Sequence, residues 1–444
     1  MAAVAPFAGL RYNPAVVGNL ADVVTPPYDV IDAGAQERYY QRHPNNLIRL
    51  EYGKTLPGDD EANNRYTRAK SDFAAWLKEK VLLPEAAPAI YFYEQEFVAR
   101  GAAKTRSGLI CAVKLEPYAR GTILPHEETI PKHKADRLDL IRACGANFSP
   151  VFGLYQDQEL QLEQIKKRFI AARPPELFFT DESGEGHRLW VVTEPRAIEE
   201  TRRIMADKRI FIADGHHRYE TGLNYKLERE AQGKQEEAPY NYIMMALVNL
   251  YDPGLVVLPT HRVLRRIAPE PLEQLMVRLK ADFLVEEWAP GVPAGAPAEL
   301  LKTLERRGRP DSGAGHAHVF AMYTPERRFF ILELKQGQEM SPDALPGRSK
   351  AWRELDVSVL QSLVFNRLLG VSDELIAKGE HLAYVREAAA AVAMVDSGEY
   401  QLAFLLNPTL KEEIIKVAGG GEKMPQKSTF FYPKLSSGLV LNRF

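Results

Sequence analysis

The sequence predicts an α+β fold, with mixed sheets and packed helices. Three observations predict it. AIYFYEQEFVA (89–99) and SGLICAVKLEPY (107–118) combine β-branched and aromatic residues with partial alternation, as half-buried strands do. EANNRYTRAKSDFAAWLKEKVL (61–82) instead sets Tyr66, Ala69, Phe73, Leu77 and Val81 at helical spacing. Strands also follow one another through short turns as well as through helices, which argues against a strictly parallel, doubly wound sheet.

A chain of 444 residues exceeds what one core usually serves. The reading places an N-terminal region at 1–88, a core at 89–267 and a C-terminal α+β region at 268–444. In the first region, the tandem prolines of VVTPPYDVI (23–31) forbid a regular helix and favour a turn. The core opens with the two strands above, joined near AARGAAKTR, and continues into a polar loop, TILPHEETIPKHKADR (122–137). A short helix, DRLDLIRAC, and a loop entering a strand, ANFSPVFGLY (146–155), follow. LEQIKKRFIAA is helical, HRLWVVTEP (187–195) is a strand, and residues 196–208 are again helical. NYIMMALVNLYDPGLVVLPTHRVL (241–264) gives two buried strands around an Asp252-Pro253-Gly254 turn. In the last region, APGVPAGAPAE (289–299) is a connector, HVFAMYTPERRFFILELK (318–335) a hairpin turning near Pro325, and YQLAFLLNP (400–408) a strand.

Composition narrows the function. A net charge of -2 with 26% charged residues gives no basic excess, so nucleic acid is not an expected partner. No apolar stretch reaches the ~20 residues that span a bilayer, and the N-terminus lacks the build of a signal peptide. Two cysteines, Cys111 and Cys144, exclude a disulfide framework and point to a cytoplasmic setting.

The chemistry concentrates in RIFIADGHHRYETGLNY (209–225). An apolar strand ends in Asp214, and Gly215 opens a helix whose first N–H groups have no intrahelical partner. That is the recipe for an anion site. Gly215 permits close backbone approach to a phosphate, and His216, His217 and Arg218 add donors, with Arg218 suited to bidentate grip. Adjacent histidines on a helix diverge by about 100°, which suits phosphate better than one shared metal. Asp214 has three open roles: helix cap, cation ligand or base.

Other stretches supply further candidates. The 122–137 loop holds His126, Glu127, Glu128, Lys132, His133, Lys134, Asp136 and Arg137. Phosphoryl transfer needs cations on the phosphates and a carboxylate near the attacking hydroxyl. Glu127 or Glu128 is therefore the candidate second acid, and His126, Lys134 and Arg137 candidate phosphate ligands, with a solvated loop as the alternative. Asn147 and Ser149, before a strand, suit substrate hydrogen bonds, as do Tyr28 and Asp29, with turn formation as the alternative for both pairs. His261 and Arg262 end a strand and are candidates for the anion site. MPQKSTFFYPK (424–434) lacks the spacing of a P-loop, yet Lys427 and Ser428 remain candidate phosphate ligands.

ADGHHRYETGLNY, with PPYDVI, LPHEETI, KADRL, NFSPVFGLY, DPGLVVLPTHR and MPQKSTFFYPKL, resembles the landmarks of a large uncharacterised bacterial and archaeal family, over nearly the whole chain. The DGHHR core alone is more distantly similar to the signature of the ParB/sulfiredoxin-like superfamily, which includes free serine kinases. That similarity implies a nucleotide-binding unit, Asp214 as base and residues 215–218 as phosphate binders. It also implies ATP or ADP with Mg2+. The expected function is a nucleotide-dependent small-molecule phosphotransferase, a serine kinase in its narrowest form. A phosphatase of a metabolite such as phosphoserine, or a non-catalytic nucleotide- or phosphometabolite-binding protein, is the alternative.

Overall fold

Alternation in the sequence becomes a long antiparallel pair. Ile90–Ala99 and Ala102–Lys114 run in register from Tyr91 opposite Ile110 to Ala99 opposite Ala102. The two turn residues, Arg100 and Gly101, both have positive φ, as a two-residue hairpin matching the strand twist requires. The computed structural model describes residues 2–127, 131–233, 235, 237–288, 297–308, 317–338, 340 and 345–444, with the backbone alone at 131–133. The chain is α+β, with mixed sheets and packed helices. It forms two units: Met1–Pro125, Thr129–Val256 and Phe431–Phe444 make the first, and His126–Glu128 and Val257–Phe430 the second.

The first unit is built on a nine-stranded sheet. Its order is Ile123–Leu124, Ile210–Asp214, Val151–Tyr155, Tyr242–Asn249, Ala102–Lys114, Ile90–Ala99, Gly186–Val192, Leu177–Thr180, with Val4–Ala5 also on Ala102–Lys114. Two pairings are parallel, Ile210–Asp214 with Ile123–Leu124 and Tyr242–Asn249 with Val151–Tyr155, so the sheet is mixed. The helices Gln161–Ile170 and Pro195–Met205 bury Leu162, Ile165, Ile204 and Met205 with Ile90, Phe92 and Ile212 of the sheet. A second core joins Phe73 and Trp76 of the helix Arg65–Lys78 to Leu140 of the helix Pro131–Cys144 and to Phe148.

The second unit has a six-stranded antiparallel sheet, ordered Phe283–Trp288, Phe329–Leu334, Val319–Tyr323, Leu402–Leu406, His261–Leu264, Leu382–Val385.

Several expectations change. The loop expected through 137 turns helical at Pro131, because proline's fixed φ and missing N–H suit a first helical turn. The helix expected over 61–82 is shorter, Arg65–Lys78, because Asn64 and Thr67 form a capping box that sets its start. Most of the 289–299 connector lies outside the described residues, and a helix, Pro297–Gly308, begins at its end. No helix is long and apolar enough to cross a membrane among the described residues.

Candidate active site

The strand Ile210–Asp214 ends as expected, and Gly215, at φ 86 and ψ 28, starts the 16-residue helix His216–Ala231. The residue at the cap position is Gly215 itself, which has no side chain to cap with. The Asp214 carboxylate faces two cations. Arg218 Nη2 donates to Oδ2 at 2.9 Å, and Lys434 Nζ to Oδ1 at 2.5 Å. Burial pushes the Asp214 pKa up, but Lys434 and then Arg218 overcome it and hold the group well below the usual carboxylate range. Arg218 Nη1 donates to the Pro150 carbonyl at 2.5 Å, while its buried Nε has no hydrogen-bond partner among the described residues.

Gly215 has a task besides the expected phosphate approach. A Cβ there would lie 2.8 Å from Arg218 Nε and Nη2. The missing side chain makes room for the guanidinium, which folds back over the glycine toward Asp214. His216 is buried and adds to the positive field on Asp214, while His217 is half-buried.

A second carboxylate was not legible in the sequence. Glu51 ends the short helix Ile48–Glu51 and is 3% exposed. Its Oε1 accepts from Ser149 Oγ at 2.7 Å and lies 3.5 Å from Arg137 Nη1, which also donates to the Glu51 carbonyl at 2.7 Å. Arg137 in turn binds Asp136 through Nε at 2.7 Å and Nη2 at 2.5 Å, and lies 4.1 Å from the centre of the Tyr28 ring. Tyr66 donates to the other Asp136 oxygen at 2.8 Å, beside Arg65. Burial raises the Glu51 pKa above the ordinary range, only partly offset by Arg137, Ser149 and Arg218. Burial likewise raises the Tyr28 hydroxyl. A cavity of about 40 Å³ is lined by Glu51, Arg137, Asn147, Ser149, Arg218 and Thr221, among others. That is room for small polar atoms rather than for a whole nucleotide.

The first unit thus gathers Arg137, Asn147, Ser149 and Arg218 around one cavity, with Tyr28 against Arg137 and Asp214 against Arg218. Asn147 Oδ1 also accepts from the Met244 amide at 3.1 Å. Lys134 pairs with Glu220 at 3.0 Å, and Asp29 is exposed. Reading the sequence alone missed Glu51 and Lys434. Lys434 sat in the quoted MPQKSTFFYPK segment, seven residues after the lysine chosen there.

Seven other candidates belong to the second unit, six of them among the described residues. His126 is fully buried, with Nε2 at 2.8 Å from Thr429 Oγ1 and 3.2 Å from Glu127 Oε1. His261 is 1% exposed. Its Nδ1 accepts from the Leu406 amide at 3.2 Å, and burial, with Arg262, lowers its pKa to about 3. A neutral, buried imidazole offers a phosphate no charge. Arg262 donates to the carbonyls of Thr260 and Lys427 and lies 5.4 Å from the centre of the Tyr384 ring. Ser428 Oγ donates to the Pro425 carbonyl at 2.5 Å, and Lys427 is exposed. Glu128 lies outside the described residues, as do the side chains of Lys132 and His133.

The donor set does not fit a resident Mg2+ at Asp214. Mg2+ takes carboxylate oxygens at close to octahedral geometry, and both Asp214 oxygens already face cations.

The model of a family described as "Protein of unknown function (DUF1015)" matches residues 4–358. No curated protein matches the chain. Among solved structures, a conserved hypothetical protein from Pyrococcus furiosus is 14% identical over 74% of this chain and 92% of its own, at a TM-score of 0.33. A free serine kinase in complex with AMP is 14% identical over 73% and 86%, at 0.35. SbnI from Staphylococcus aureus, truncated at its C-terminus, is 11% identical over 73% and 84%, at 0.32. TM-scores this low carry neither a fold nor an activity across to this chain.

Proposed function

Since the chain belongs to that family of unknown function, DUF1015, we propose its role from the chemistry of its first unit: a nucleotide-dependent small-molecule phosphotransferase. Free serine is the narrower acceptor and ATP or ADP the donor. In this reading the strand–glycine–helix turn at Asp214 is the ParB/sulfiredoxin-like element that the DGHHR resemblance implies.

One observation carries the reading. Two carboxylates of the same unit have opposite proton affinities, Asp214 held low by Lys434 and Arg218, Glu51 pushed high by burial. Such splitting is how acid–base roles are separated in active sites. A strongly depressed carboxylate is a poor base near neutral pH, so Asp214 orients cations and Glu51 takes the proton. The terminal phosphoryl group of the donor lies at the start of the His216–Ala231 helix. Arg218 and Lys434 turn from Asp214 to the charge on its oxygens. The acceptor hydroxyl oxygen bonds to phosphorus, the bond from phosphorus to the bridging oxygen breaks, and the hydroxyl proton passes to Glu51. Any Mg2+ would arrive on the nucleotide phosphates, and the protein residues named here act without it as a fixed ligand.

The test is phosphoserine formation from serine with ATP or ADP, followed by phosphorus NMR. Lys434→Met and Glu51→Gln are each expected to lower turnover by ~10² or more. Phosphate release from phosphoserine without nucleotide would replace the kinase with a phosphatase. Tight ADP binding without turnover of any hydroxyl acceptor would leave a binding protein.

A further inference from the structure

A hairpin of the first unit carries ligand-type side chains that the proposed reaction does not use. Leu177–Thr180 and Gly186–Val192 pair antiparallel, with Gly186 opposite Thr180. Their turn brings Asp181, Glu185 and His187 together, one ligand-type atom of each lying within 4.8 Å of the other two. His187 is fully buried, whereas Asp181 and Glu185 are half-buried.

Each residue is held from outside the group. Tyr93 Oη lies 2.7 Å from His187 Nδ1, and Phe179 stacks on the imidazole at 4.7 Å. Gln95 Nε2 donates to Glu185 Oε2 at 2.8 Å. Backbone amides of Ser183 and Glu185 donate to Asp181 Oδ1, both at 2.9 Å. His187 Nε2 and Asp181 Oδ2 are left facing each other at 3.2 Å.

The charge balance is a separate observation. Among the described residues, neither Asp181 nor Glu185 forms an ion pair with a lysine or arginine. Of the nearby cations, Arg42 pairs with Glu182, while the buried Arg106 donates to Gln95 Oε1 and reaches Glu185 through its field alone, without an ion pair. Two adjacent, partly buried carboxylates thus share one imidazole and the field of one buried guanidinium, and proteins hold such charge by pairing or by a metal.

We propose that Asp181, Glu185 and His187 bind a divalent metal ion of the borderline class, with Zn2+ as the type. One imidazole and two carboxylates suit that class. With Nδ1–H donating to Tyr93 Oη, the outer partner fixes the imidazole and leaves the Nε2 lone pair for coordination. Three protein ligands from one turn leave the remaining positions to water or a small ligand.

The test titrates the EDTA-treated full chain with Zn2+ by calorimetry and with Co2+ as a spectroscopic stand-in. One equivalent of Zn2+ is expected to bind, with visible d–d absorption for Co2+. Asp181→Asn and Glu185→Gln, which keep the backbone and Gln95 contacts, are each expected to weaken binding by ~10-fold or more. Equal affinity in wild type and both hairpin variants overturns the proposal, as does no binding by the wild type. Should either variant fail to fold, nitrogen NMR of wild-type His187 decides alone: a shift of Nε2 on adding Zn2+ supports the site, and an unmoved Nε2 removes it.

Discussion

Asp214 and Glu51 are the same functional group put to opposite use by their neighbours. Asp214 compensates two mostly buried cations, its side chain 14% exposed against 16% for Lys434 and 9% for Arg218. Asp214→Asn keeps the shape but strands both charges, and breaking such a pair costs ~3–5 kcal/mol. Glu51→Gln keeps an acceptor for Ser149 and leaves Arg137 on Asp136, so it is expected to cost less than ~1 kcal/mol while abolishing proton transfer. Urea unfolding and phosphoserine formation on the two variants check that order. A Glu51→Gln protein that turns over normally would remove Glu51 as the base. His261 supplies a pH prediction. Its unfolded pKa is ~6.5 and its folded pKa about 3, so the unfolded chain binds more protons between those values. The contribution is fully present above pH ~6.5 and is lost as pH falls toward the folded value, at ~1.4 kcal/mol per unit. His261→Asn, which keeps an acceptor for the Leu406 amide, should flatten the acid slope of the second unit's stability by about one proton between pH 6.5 and 5.

At the scale of elements, the sequence spoke plainly wherever a local pattern decides. The alternation of 89–99 and the apolar run before Asp214 became strands, and the helix start at Gly215 was read from its punctuation alone. The glycine's reason was not legible, because it depends on where a side chain one turn later points. Arg218 lies four residues after Asp214, a spacing at which helix side chains meet. It is the folded-back guanidinium that needs the bare Cα. Gly215→Ala should therefore cost ~1–2 kcal/mol for the left-handed backbone and also dislodge Arg218. If both act through one guanidinium, Gly215→Ala and Arg218→Ala should each weaken ADP binding, and the double variant should lose clearly less than their sum. Additive losses in calorimetric titrations would separate the glycine from the arginine.

For the whole molecule, the decisive contacts are long-range, and no local pattern announces them. Ser149 reaches Glu51 across 98 residues, and Lys434 reaches Asp214 across 220. The chain leaves the first unit at Val256 and returns to it at Phe431. The returning segment buries Phe431, Leu435, Leu439, Val440 and Leu441. It exchanges two backbone hydrogen bonds between Leu441 and Leu10, both 2.9 Å, and pairs Asn442 with Asn147. Each such apolar side chain contributes ~1.5–3 kcal/mol at most. Five together amount to ~10 kcal/mol, comparable with the ~5–15 kcal/mol that holds a folded domain. A chain ending at Phe430 should therefore lose the cooperative unfolding of its first unit along with its activity. That result alone would not show whether Lys434 acts in the reaction. Lys434→Met separates the two, because it retains the aliphatic stem and the segment's packing while leaving Asp214 to Arg218 alone. The expected outcome is a first unit that still unfolds cooperatively, with phosphoserine formation down by ~10² or more. A truncated chain that keeps both properties would make the C-terminal return dispensable, and a fully active Lys434→Met would reduce Lys434 to an anchor for the segment that carries it.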